Sequence, residues 1–286
     1  MSKIYTGKTQ TLTVLRNTEI GVYLGENASD DGILLPKKQV PEGTKIGDQI
    51  DVFVYRDSED RLIATVRKPA AEVGGFGWFR VKGVTKVGAF LDWGLEKDLF
   101  LPYKEQETAF KAGDTVCVYL YLDKADRICA TTKLYDHLIP ALDGDFKAED
   151  RFTGYVYRTQ KEFGAFVAVT KNGAFDQLYF GLIPASQVFQ NYRIGEKVTG
   201  RIVRVRPDGK LDLSVRARAF EQLDADGELI LKKIDEYDGE LPFSESASPE
   251  IIKRELQMSK NGFKKALGHL LKAGKIEILE KTVKRV

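Results

Sequence analysis

Four short markers recur in the same order three times along this chain of 286 residues, and such self-similarity constrains it to fold as copies of one unit. A glycine, a small or β-branched residue, an aromatic and an aliphatic come first: Gly21-Val22-Tyr23-Leu24, Gly88-Ala89-Phe90-Leu91 and Gly164-Ala165-Phe166-Val167. Next come an aliphatic-proline pair (Leu35-Pro36, Leu101-Pro102, Ile183-Pro184) and a glycine-acid pair (Gly47-Asp48, Gly113-Asp114, Gly195-Glu196). Each copy closes on a basic residue before a final strand, at Arg61, Arg127 and Lys210. The first two copies are offset by 67, 66, 66 and 66 residues and the last two by 76, 82, 82 and 83, so the third copy is the longest. Within each, short alternating runs of Val, Ile, Tyr, Phe and Thr read as half-buried strands, and Pro207-Asp208-Gly209 is a turn. About five bent antiparallel strands cover their own edges best by closing into a barrel.

From about Asp224 the period becomes helical, with Leu229, Ile230, Ile234 and Tyr237. Ser248-Pro249 opens a second helix, as N-cap and first-turn proline. A third, from Ser259, should set Phe263, Leu267, Leu270 and Leu271 on one face before Gly274 stops it. Ile276 to Leu279 and Val283 to Val286 read as a terminal hairpin. Three helices and a hairpin suit a winged helix.

The third copy, from Gly154-Tyr155-Val156 through Phe163-Gly164-Ala165-Phe166-Val167 and Gly181-Leu182-Ile183-Pro184 to Asp212-Leu213-Ser214, resembles the S1-type RNA-binding OB-fold barrel. The first two copies are similar to it but diverged. Three such units and a winged-helix tail resemble the conserved virulence factor B family of bacterial RNA-binding regulators over essentially the full chain. The expected architecture is therefore mainly β: three tandem five-stranded S1-type barrels at 1–68, 69–144 and 145–221, then a winged-helix domain at 222–286. Regulation of transcript stability or translation is implied by that resemblance alone.

The formal net charge of +2 says nothing about a polyanionic partner, but its distribution does. The first two barrels are near neutral, whereas residues 145–221 hold thirteen basic and nine acidic side chains. Arg158, Lys161, Arg193, Arg201, Arg204, Arg206, Lys210, Arg216 and Arg218 are the cations there that a phosphate backbone could meet. In the tail, residues 259–286 hold eight basic against two acidic side chains, with Lys260, Lys264, Lys265 and Lys272 off the apolar face of the third helix and Lys275 just beyond. Residues 222–258 are acidic by contrast, so this face is either a polyanion-steering surface or a solvated lysine face.

A barrel that binds single strands needs exposed rings on which bases stack. The S1 resemblance assigns that role to two aromatics around the Gly-small pair, which Phe163 and Phe166 match in the third copy. The second copy has Val87 and Phe90 with Trp93 nearby, and the first has Ile20 and Tyr23. Core packing is the alternative for any one of these rings; for Phe163 and Phe166 beside so many arginines, exposure is the expectation. Pro36, Pro102 and Pro184 stand where S1-type units often carry a histidine. Asp57 and Asp123 match a common acidic position that Arg206 fills in the third copy. These departures favour backbone-weighted contact over base-specific readout.

No phosphate-binding loop or His-Glu-x-x-His occurs; Gly74-Gly75-Phe76-Gly77 reads as a linker, and two histidines leave little scope for acid-base work. Cys117 and Cys129 sit in apolar runs, as small buried hydrophobes in a reducing compartment would. The expectation is a cytoplasmic, monomeric, non-enzymatic protein that binds single-stranded RNA, with no cofactor, metal or membrane contact. A duplex-DNA-binding regulator using the third helix, or a protein-interaction scaffold, is the alternative.

Overall fold

The computed structural model describes residues 4–27, 31–187, 192–215 and 219–286. Arg216 and Arg218 lie outside them. The chain divides into a unit of residues 1–215 and a unit of residues 216–286.

The first unit is three closed five-stranded barrels. The first comprises β1 (Thr9–Thr18), β2 (Gly21–Gly25), β3 (Ile33–Pro36), β4 (Gln49–Arg56) and β5 (Leu62–Thr65). The second comprises β6 (Phe76–Val84), β7 (Gly88–Asp92), β8 (Leu99–Pro102), β9 (Thr115–Leu122) and β10 (Ile128–Thr131). The third comprises β11 (Arg151–Gln160), β12 (Gly164–Thr170), β13 (Leu178–Pro184), β14 (Lys197–Val205) and β15 (Leu211–Ser214). In each the fifth strand runs parallel to the third and antiparallel to the fourth, which returns to the first. Phe76 and Gly77 belong to β6 rather than to a linker, because Phe76 is buried against the third barrel.

The repeated markers are the contacts that close each barrel. Gly21, Gly88 and Gly164 hold φ of +149°, +159° and +118°. A Cβ there would lie 2.1, 2.3 and 2.0 Å from the carbonyl oxygen of Leu35, Leu101 and Ile183, the residue before the repeat proline. The glycine and the aliphatic-proline pair are thus two sides of one backbone approach that a side chain would prevent. Gly47, Gly113 and Gly195 donate to the carbonyls of Val14, Val81 and Val156, where the first strand of each barrel bulges. The following acid folds back to accept from Lys45, Lys111 and Arg193 backbone N–H groups at 2.7–2.9 Å. Gly88→Ala is expected to destabilise the first unit by about 2–4 kcal/mol through strained φ and a displaced β8. Urea unfolding of the two proteins measures it.

Aromatic seams join the barrels. Phe53 and Tyr55 of β4 share a buried cluster with Trp93 and the core of the second barrel, Phe53 meeting Trp93 edge-on at 5.7 Å. At the next seam Phe76, Cys117, Leu134 and Leu138 pack with Tyr155, Tyr157, Ala168 and Leu178 of the third barrel. Trp78 packs against Tyr155 at 5.2 Å and donates its indole N–H to the Gly195 carbonyl at 3.1 Å. Gly195 itself lies so close to β9 that a Cβ would come within 2.2 Å of the Thr115 carbonyl oxygen. Such ring pairs contribute roughly 0.5–1.5 kcal/mol each beyond area burial.

His137 lies flat on Tyr119, with centroids 3.7 Å apart, and burial lowers its pKa from 6.5 against the opposing pull of Asp136 and Glu105. The folded state therefore favours neutral imidazole, and the unfolded chain takes the proton first as pH falls through about 6.5. Stability contributed here is full above that pH and declines below it. Unfolding midpoints should fall between pH 7.5 and 5.5, and His137→Phe should flatten that dependence.

The second unit packs α1 (Ala219–Glu236), α2 (Pro249–Leu256) and α3 (Lys260–Lys272) with a sheet in which β18 (Val283–Arg285) lies between β16 (Glu240–Leu241) and β17 (Ile276–Ile278). Ser248 and Ser259 cap α2 and α3, accepting from Ile251 and Gly262 N–H, with Pro249 at the first turn. Ile230, Ile234, Phe263, Leu267 and Leu270 meet in its core. Leu271 corrects the expected apolar face: it is exposed, one residue of helical rotation beyond the stripe that Phe263, Ala266, Leu267 and Leu270 bury.

Candidate nucleic-acid interface

The three aromatics after the repeat glycines occupy one geometric position. Each is half-buried on the outer surface of its barrel, because the residues on either side of it point into the core. Cross-strand pairing continues from each into a row around the barrel. The rows are Arg16, Tyr23, Leu34, Ile63 and Tyr55 in the first; Gly83, Phe90, Phe100, Cys129 and Tyr121 in the second; and Arg158, Phe166, Leu182, Asp212 and Arg204 in the third. Ile20, Val87 and Phe163 top the preceding turns, exposed by 59%, 64% and 56%. Their carbonyls accept from the first residue after the repeat proline.

The third row is the charged one. Phe166 lies between Arg158 and Leu182, and Phe163 and Lys161 stand exposed in the turn between β11 and β12. Arg204 and Arg206 both bind the Asp212 carboxylate, at 2.5 and 2.8 Å through their Nε atoms. This explains the missing acid at Arg206: where the first two copies pair Asp57 with Arg61 and Asp123 with Arg127 across the turn, the third places its acid on β15. Burial by itself raises the Asp212 carboxyl, but hydrogen bonds and charge from Arg206 and Arg204 outweigh it and hold the group below 3.8. Its contribution is therefore present at neutral pH and lost as pH falls through the depressed folded value. Asp212→Asn should cost about 1–3 kcal/mol in urea unfolding at pH 7, with the difference shrinking as pH drops below about 4.

The remaining cations are less alike than the sequence suggests. Arg201 pairs with Glu149 at 2.6 Å and Lys210 with Asp208 at 3.4 Å, while Lys210 also lies 5.7 Å from the Phe180 ring. Arg193 is exposed in the turn that docks Gly195 on β9. Tyr23 already carries the Arg16 guanidinium on its face at 4.0 Å. Trp93 is corrected outright as an exposed stacking ring: only 3% exposed, it is the centre of the first seam and donates to the Lys97 carbonyl. In the second unit Lys264, Lys265, Lys272 and Lys275 are exposed and Lys260 half-buried, with Lys264 4.0 Å from Glu245.

Sequence reading missed Phe100, Phe180 and Tyr135. Phe100 pairs with Phe90 at 5.4 Å between centroids, and Tyr135 lies 5.2 Å from Phe180 on the outside of the third barrel. Strand alternation was the available signal for Phe100, two residues before Pro102 in every-other register.

Comparison with known proteins agrees with this architecture. The S1 domain model matches residues 6–67 and 73–133, the second-domain model of virulence regulatory factor CvfB matches 144–217, and the CvfB-like winged helix model matches 228–284. An uncharacterised Bacillus subtilis protein, YitL, is 32% identical over 281 residues, covering 94% of this chain and 90% of its own. The chain belongs to the conserved virulence factor B family. Conserved virulence factor B of Staphylococcus epidermidis is 29% identical over 280 residues, 92% of each chain. The crystal structure of a multidomain protein with nucleic acid binding domains from Streptococcus pneumoniae aligns over 98% of both chains, with 26% identity and a TM-score of 0.52. As a member of the family, this chain combines S1 and winged-helix domains, the make-up of a nucleic-acid-binding regulator. Among the described residues no helix is long and apolar enough to cross a membrane.

Proposed function

We propose that this protein is a cytoplasmic, non-enzymatic regulator that binds single-stranded RNA and acts after transcription. The observation that carries the reading is the third barrel's outer row, in which the half-buried Phe166 is flanked by the exposed Arg158, with exposed Phe163 and Lys161 at the adjoining turn. Rings of this kind accept bases of any identity on their faces, and the cations beside them meet the phosphates, so the contact is tolerant of sequence. The lysines of α3 form a further cationic surface within the second unit. Removing both rings in Phe163→Ala/Phe166→Ala is expected to weaken binding of a uridine oligomer by roughly 5–150-fold, the equivalent of about 1–3 kcal/mol for one stacked base, measured under conditions where urea unfolding shows the variant fully folded, because Phe166 also packs partly on the seam beside Tyr157. Equal affinity in the double variant sinks this site.

Duplex DNA is the second reading, favoured by the four exposed or half-exposed lysines of a helix that winged-helix folds often set in a groove. Lys264→Glu/Lys265→Glu should reduce the slope of log affinity against log salt by about 2 for whichever nucleic acid α3 contacts. Competition between the uridine oligomer and duplex DNA at one stated salt concentration separates the two.

A further inference from the structure

We propose that the seam between the first two barrels holds a pocket for one nucleobase of a single strand, built from both barrels and separate from the third-barrel row. This rests on the nucleic-acid reading and extends it to the part of the chain that charge alone leaves neutral.

The second barrel's row carries no charged side chain. Phe90 and Phe100 lie side by side, tilted by 37°, and the row continues through the Cys129 thiol and the Tyr121 phenol. Burial first, with nearby carboxylates, pushes Cys129 up to about 11 and Tyr121 to about 12, so both are neutral at physiological pH. The decisive position is Gly83. It stands opposite Phe90 where the first barrel has Arg16 and the third has Arg158. In the first barrel that arginine covers the aromatic ring; at Gly83 a Cβ would meet nothing within 4 Å. Position 83 therefore has no side chain to cover Phe90 and has room for one, where Tyr23 is covered by the chain's own cation.

Above these rings is a cavity of ≈ 280 Å³ lined by Phe90, Phe100, Trp93 and Lys97 and, from the first barrel, Tyr55 and Arg56. It is just below the roughly 300–1,000 Å³ of drug-sized sites, which suits a single nucleoside better than two. Of its three cations Arg127 is paired with Asp123 at 2.7 Å, whereas Arg56 and Lys97 are held by backbone carbonyls. Arg56 donates to the carbonyls of Asp60 and Asp126 at 2.7 and 3.3 Å, and Lys97 donates to the carbonyl of Asp57 at 2.7 Å. Asp98 also lines the cavity, with its carboxylate paired to Lys82, and the Asp57 carboxylate is engaged by Arg61. Flat apolar walls with two positioned positive charges at the rim match the two parts of a nucleotide, base and phosphate.

The test is photocrosslinking of a uridine oligomer containing 4-thiouridine to the full chain, followed by peptide mapping and affinity measurement. Adducts are expected on the peptides bearing Phe90 or Phe100. Gly83→Arg, which adds a positive charge but is expected to cover Phe90 as Arg16 covers Tyr23, should abolish those adducts and weaken binding at least about fivefold. A simple electrostatic surface predicts tighter binding for that variant, so tighter or unchanged affinity with the adducts retained overturns the pocket. Adducts confined to the third barrel also overturn it while leaving third-barrel binding intact, and adducts confined to α3 overturn it in favour of the second unit. Conversely, adducts at Phe90 or Phe100 that persist while Phe163→Ala/Phe166→Ala binds normally would support the pocket and sink the third-barrel site. Protection of Phe90 by uridine monophosphate as effective as that by the oligomer at equal base concentration would overturn the single-strand assignment in favour of a mononucleotide site.

Discussion

Backbone contact at Gly21, Gly88 and Gly164 underlies the rest of the first unit. By letting the second strand of each barrel approach the carbonyl before the repeat proline, it pins the second strand to the third in one register. With side chains alternating at period two, that register leaves no choice about which residue faces out: the aromatic two positions after the glycine. The glycine at the start of the fourth strand and the bulge it bonds to then bend the first strand so that the sheet closes. The same backbone solution appears three times, and chemical differences between barrels are left to the side chains along the outer row.

Those rows have diverged in their chemistry from barrel to barrel. The first folds its own arginine over its own tyrosine. The second removes the arginine and lines up two phenylalanines, a thiol and a phenol. The third exchanges the acid of its turn for Arg206 and moves the carboxylate to Asp212, where two guanidinium groups share it. A shared carboxylate leaves one net positive charge on that side of the row, consistent with a surface for phosphates.

The seams show why barrels so small can stand together. Each barrel of about five short strands buries little apolar surface alone. Phe53 against Trp93, and Trp78 against Tyr155, extend the core across the boundaries, so that rings which an isolated barrel would expose become interior. This is also why Trp93, three residues after Phe90, is a seam residue rather than an exposed ring.

The repeat, its strands, the three helices and the family were legible in the amino-acid order, because glycine-proline spacing, alternation and helix caps are local properties that the neighbouring residues impose. So was the exposure of Phe163, whereas Phe166, expected to be exposed with it, is half-buried because it also packs on the seam beside Tyr157. What only the tertiary structure decided was which charges cancel and which rings are covered: Asp212 reaching two arginines, Arg16 lying on Tyr23, Trp93 closing a seam, and Phe100 and Arg56 meeting at one cavity. Each of these depends on residues brought together from different strands or different barrels, and the distance between side chains that sets both Coulomb energy and burial is defined only once those strands have packed.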